Sequence, residues 1–210
     1  MNFFRNQWFN IGIVFALIIG VFLFIFGNTL SSFQFLLWIS FISLLLHQFE
    51  EYGYPGYFPG VINKVLFSSK YPDRYPLNTN TAFIVNVLLG WTLYLFSAVF
   101  AERTLWLAIA AILVSCGNVI AHTLLFNIRG KTIYNPGMLT ALVLFLPISV
   151  YFFIFITRYN LANVNDYLIG IPLGLAINYF GIIKLIIILK NKQTIFIFPK
   201  RFVRSYTRQK

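Results

Sequence analysis

The chain has 210 residues, 59% of them hydrophobic and only 10% charged, with a mean hydropathy of +0.79. That composition excludes an ordinary water-facing surface and predicts an integral membrane protein forming one compact domain. A net charge of +11 would suggest nucleic acid in a soluble protein. Here the cations sit in loops and above all near the C-terminus, so they are expected to orient the chain in a membrane, with no nucleic-acid partner.

A spanning helix needs about 20 apolar residues. The first run, about residues 8–26, follows Arg5. It is longer than the roughly 7 to 15 residues of a signal-peptide core, and no Ala-x-Ala site follows, so it reads as an uncleaved span. Gly27-Asn28 ends it, and a second span over about 31–52 follows closely enough to make an antiparallel hairpin.

The segment from Tyr52 to Gly60 is rich in Tyr, Pro and Gly and is expected to lie along the membrane interface. Val61, Ile62, Val65 and Leu66 then have the spacing of a short surface helix, with Lys64 on another face. Residues 68–80, with Pro72 and Pro76, read as loop.

A third span over about 81–100 and a fourth over about 105–126 are separated by a tight turn at Glu102-Arg103. The single cysteine, Cys116, lies in the fourth, where it reads as a small packing residue; no intrachain disulfide is possible. A polar link over 127–137 leads into a fifth span (about 138–156), and a sixth covers about 167–189. In the sixth, Gly170 and Gly174 fit a small-xxx-small packing face, and Lys184 reads as a lysine extending to the interface.

The expected architecture is an all-α, polytopic transmembrane bundle of about six spans over 1–189, followed by a basic tail over 190–210. The tail carries seven cations and no acid and is expected to rest on anionic lipid, with Ile195 to Phe198 dipping into the interface. Six spans put both termini on one side. That side then holds thirteen cations against two on the other, which predicts cytoplasmic termini.

Orientation fixes depth. At 1.5 Å per residue, His47 lies roughly 24 Å along the second span and His122 roughly 25 Å along the fourth, both near the cytoplasmic boundary. Asn86 enters from that side and lies about 8 Å deep. The link after the fourth span returns Tyr134, Asn135 and Pro136 to the same level. His47, Glu50 and Glu51 are spaced i, i+3, i+4, and Asn118 and His122 are spaced i, i+4, so each set shares a helix face.

Only five acids and two histidines occur in the chain. Their concentration near a span end predicts a polar site, with His47, Glu50, Glu51, Asn118 and His122 as candidate catalytic groups and Asn86, Tyr134 and Asn135 as candidate substrate-binding groups. A solvated helix end and an interhelical packing pair are the structural alternative.

His47, Glu50, Glu51 and His122 would form a reasonable ligand set for a divalent metal such as zinc or iron. Metal-free acid/base work on a hydrophobic or lipid-like molecule from the inner leaflet is the other chemistry open to them. Walker loops, Gly-x-Ser-x-Gly elbows and Cys-x-x-Cys pairs are absent, which removes support for nucleotide hydrolysis, serine esterase chemistry and thiol redox. No internal repeat suggests an inverted-repeat transporter.

His47-x-x-Glu50-Glu51 resembles the signature of the HXXEE family, small polytopic bacterial membrane proteins of unassigned function. Asn118-x-x-x-His122 and Tyr134-x-Pro136-Gly137 look like that family's downstream polar block, so the resemblance covers about 36–141. It implies a multi-pass protein of the bacterial cytoplasmic membrane and a shared site, without a reaction. A membrane-embedded enzyme, a proton- or cation-coupled carrier and a non-catalytic membrane accessory all remain open.

Overall fold

The computed structural model describes residues 2–203, and among these all regular structure is helical. The tail residues Arg204, Arg208 and Lys210 lie outside the described residues. Helix α1 (Asn2–Phe26) and α2 (Ser32–Tyr52) form the expected hairpin, with the Ser31 hydroxyl capping α2 by accepting from Gln34 N at 2.9 Å. A short helix, α3 (58–66), precedes α4 (79–100), which Asn78 caps through Asn80 N and Thr81 N. Then come α5 (105–130), α6 (Met138–Arg158) and α7 (Val164–Ile188).

Among the described residues five helical stretches are long and apolar enough to cross a membrane, and the longest is Thr79–Gly130, 52 residues. Straight, it would run about 78 Å, more than twice a hydrocarbon core. It folds back at Ala101–Thr104, where Ala101 takes φ 38°, and so supplies two legs, α4 and α5. Tyr94 OH meets Ser115 Oγ at 2.6 Å and Ser97 Oγ donates to Leu107 O at 3.3 Å, the pairing of antiparallel neighbours. The bundle therefore has six apolar legs.

Large apolar side chains face outward along these legs, among them Leu17, Phe24, Leu124 and Leu175. A surface of that kind suits lipid and not water. Inside, one apolar cluster fills the end of the bundle near Phe33, Ile109, Ile112 and Phe152, and a second, built around Trp8, Leu45, Tyr52, Phe126 and Phe145, fills the other end. Helix α7 approaches α5 closely through Gly170 and Gly174: a Cβ on Gly170 would stand 2.6 Å from Trp106 O, and one on Gly174 2.8 Å from Leu113 Cβ. These glycines are the small packing face anticipated from their spacing.

The segment after α2 keeps Tyr54 exposed at the surface, but its end turns inward, with Phe58, Pro59 and Gly60 buried. Gly56, at φ +74°, lets the chain turn sharply, with Gly56 N donating to Glu50 O, and Phe58 enters the bundle. Helix α3 follows it inward: Val61, Ile62 and Asn63 are buried. Asn63 bonds Pro72 O, Leu77 O and Leu77 N, which orders the loop over 68–80. A surface helix has no use for a buried amide; here that amide ties the loop down.

The tail also packs on the protein. Thr79 N donates to Phe196 O and Phe198 N to Asp73 O, while Phe198 and Phe202 are buried against Phe9 and Tyr52. Arg201 lies over the Phe202 ring at 4.1 Å and donates to Gly53 O. Ile195 and Ile197 remain exposed. Both described chain ends thus meet at the end of the bundle where α2 finishes.

Candidate functional site

At that end three buried side chains converge. His47 and Glu51 are one turn apart on α2, and His122 comes from α5, where the helix widens to π-type turns over Ala121–Leu125. His122 Nε2 lies 3.3 Å from Glu51 Oε1 and His47 Nε2 lies 3.7 Å from the same oxygen. The two imidazoles meet edge to face with centroids 4.9 Å apart. Exposures of 2%, 4% and 0% for His47, Glu51 and His122 make all three buried.

The rings are held from behind. His47 Nδ1 contacts Thr140 Oγ1 at 2.9 Å and His122 Nδ1 contacts Asn135 Oδ1 at 2.6 Å. Asn135 is itself fixed, its amide donating to His122 O and Asn127 Oδ1. Gly137 closes this side: at φ +100° its would-be Cβ falls 2.3 Å from His122 Cε1. A side chain there could not coexist with the ring, which gives the Tyr-x-Pro-Gly turn a physical purpose. On the other face Phe58 stacks on His122 at 5.1 Å, covering it.

Glu50 does something different from its neighbour. Its two oxygens accept from Tyr134 OH (2.8 Å), Leu139 N (3.2 Å), Thr140 N (2.8 Å) and Thr140 Oγ1 (2.6 Å). Those amides form the first turn of α6, so one carboxylate caps the helix from another element and meets the positive end of its dipole. Glu50 is therefore directed at α6, and Glu51 alone faces the imidazoles. Tyr134 and Asn135, the candidate substrate-binding groups of the link before α6, bond Glu50 and His122 and are not among the residues lining the cavity beside this site.

Above the three groups lies a cavity of about 540 Å³ between α2, α3, α4, α5 and α7. His47, Glu51, Asn86 and Asn118 contribute polar wall, while most of the lining is aliphatic or aromatic. Asn86 and Asn118 donate to Ala82 O and Val114 O on their own helices. The rim includes Leu125, Leu175, Tyr179 and Ile183, all exposed on the lipid-facing surface.

Sequence reasoning missed Thr140, Phe58 and Gln48. Thr140 links His47 to Glu50, and its only signal was its place one turn after Pro136-Gly137. Gln48 accepts from Trp91 Nε1 at 2.7 Å and donates to Asn86 O, joining α2 to α4.

Apolar helices that bury a histidine and carboxylate cluster define a polytopic membrane protein with an internal polar centre. The family model described as "Protein of unknown function with HXXEE motif" matches residues 38–152, and the chain belongs to that family. No curated protein and no solved structure matches the chain.

Proposed function

We propose that this protein is a membrane-embedded enzyme acting on a lipid-like or hydrophobic substrate at the His47, Glu51 and His122 centre. The observation that carries the reading is an apolar cavity whose rim reaches the lipid-facing surface and whose wall includes His47 and Glu51, with His122 buried directly behind Glu51. A volume of about 540 Å³ suits a drug-sized molecule or part of an acyl or isoprenoid chain. Asn86 and Asn118 add hydrogen-bonding capacity where a polar head would lie. A substrate entering from lipid needs no aqueous channel.

The same reading places the site end in the cytoplasm, because the cation-rich loops and tail belong to it. The exposed Lys190 and Lys200 would then meet anionic lipid. A carrier would need a polar path to the other face. The far half of the bundle is instead packed with Phe33, Leu37, Ile109, Ile112 and Phe152, each almost fully buried, which supports an enzyme over a carrier.

The test is comparative analysis of lipids and other hydrophobic metabolites in membranes from cells expressing wild type, Glu51→Gln, or the cavity-filling Leu89→Trp. A species consumed or formed with wild type and unchanged with both variants is the expected result. Identical profiles in all three, at matched expression, would overturn the reading.

A further inference from the structure

Resting on the enzyme reading for its purpose, but not for its geometry, we propose that His47, Glu51 and His122 bind one divalent first-row transition metal ion as a three-ligand, open-sided site that borders the cavity through His47 and Glu51.

The hydrogen-bond network argues for a cation. Asn135 donates through its amide nitrogen to His122 O and Asn127 Oδ1, so its oxygen faces His122 Nδ1 and can only accept. His122 therefore carries its proton on Nδ1. Thr140 has one hydroxyl proton, which goes to the Glu50 carboxylate, so its oxygen accepts from His47 Nδ1. His47 then also carries its proton on Nδ1.

With each ring neutral, its Nε2 is then a lone pair. Each is buried without a hydrogen-bond partner, and both point at the same oxygen of Glu51. Two imidazole lone pairs and a carboxylate oxygen, all electron donors, repel one another at these separations in a buried site. A bound cation turns that repulsion into coordination.

The geometry agrees. Ligand atoms about 2.0 to 2.1 Å from a tetrahedral metal lie about 3.3 to 3.4 Å apart. Glu51 Oε1 lies 3.3 Å from His122 Nε2 and 3.7 Å from His47 Nε2, and one ligand atom from each of the three residues falls within 4.8 Å of the others. Histidines ligating through one nitrogen while the other donates to an oxygen are the usual outer arrangement of a metal centre, and Thr140 and Asn135 supply it here. Three protein ligands leave a coordination position open, as in catalytic rather than structural sites. Two histidines and one carboxylate suit zinc or ferrous iron.

Metal content is measured by mass spectrometry on the full chain purified in detergent without chelator. Alongside it, the chelator-stripped protein is titrated with cobalt(II) and its visible absorption recorded. About one metal ion per chain is expected in wild type, with at least a tenfold loss in Glu51→Gln and His122→Ala and full retention in Asn86→Ala. Cobalt should give absorption bands stronger than those of the aqueous ion, lost in Glu51→Gln.

Glu51→Gln is nearly isosteric, so it keeps the test valid should His122→Ala fail to fold. Wild type without metal and without a cobalt spectrum overturns the inference, as does equal metal in wild type and Glu51→Gln. Metal binding without any membrane-metabolite change would overturn the enzyme reading while leaving the site standing, and the converse result would do the reverse.

Discussion

Adjacent glutamates of one motif should respond to mutation in opposite ways. Glu50→Ala removes the acceptor of four donors: Tyr134 OH, Leu139 N, Thr140 N and Thr140 Oγ1. Hydrogen bonds to a charged group contribute about 1.5 to 3 kcal/mol each, and a buried donor left unpaired costs about 1 to 3 kcal/mol. Allowing two of the four to find water or another partner, the net loss is roughly 3 to 5 kcal/mol. At about 2 to 4 °C per kcal/mol for a chain of this size, the midpoint should fall by roughly 10 °C.

Glu51→Ala in chelator-treated protein should leave the midpoint within about 2 °C of wild type or raise it, because Glu51 Oε1 faces only imidazole lone pairs. Thermal unfolding in detergent, followed by tryptophan fluorescence with chelator present, reads both. Equal destabilisation by the two substitutions would refute the division of labour. So would a Glu50→Ala variant as stable as wild type.

Gly137→Ala should displace His122, since the added methyl would stand 2.3 Å from its ring and the backbone is at φ +100°; metal content of the purified protein should fall by at least tenfold. Asn135→Ala frees His122 Nδ1 and should weaken cobalt affinity by about 10- to 100-fold, read by titration, with the midpoint also lowered. Phe58→Ala should cost about 3 kcal/mol, because Phe58 is 9% exposed and packs on His122, Tyr52 and Phe126; thermal unfolding measures it.

The last prediction concerns pH, through Asp73. The Arg74 guanidinium bonded to it holds its carboxyl below the ordinary carboxylate range. Its contribution is therefore present above the unfolded carboxylate value near pH 4 and lost as pH falls through the lowered folded value. The pair is partly exposed, so Asp73→Asn should change stability by under about 1 kcal/mol at pH 7 and by nothing measurable at pH 2, in paired melts.

The chain's own residues were enough to establish that it is a helical membrane protein of the HXXEE family, because hydrophobic run length, Pro-Gly breaks and a short motif are local quantities. Equal depth for His47 and His122 was also legible, since helix rise is constant. Local rules could not say where a carboxylate points. Glu50 and Glu51 differ by about 100° of helical turn, and only the docking of α6 decides that one caps a helix while the other meets two imidazoles. The same holds for the segment after α2. Its composition suits an interface, yet the fold draws Phe58 over His122 and buries Asn63, because the covered site and the loop hydrogen bonds outweigh a surface preference. Sequence determined the apolar spans, the family and the shared level of His47 and His122 along the bundle; tertiary packing decided which polar groups face one another, since side-chain direction depends on the neighbours a helix acquires.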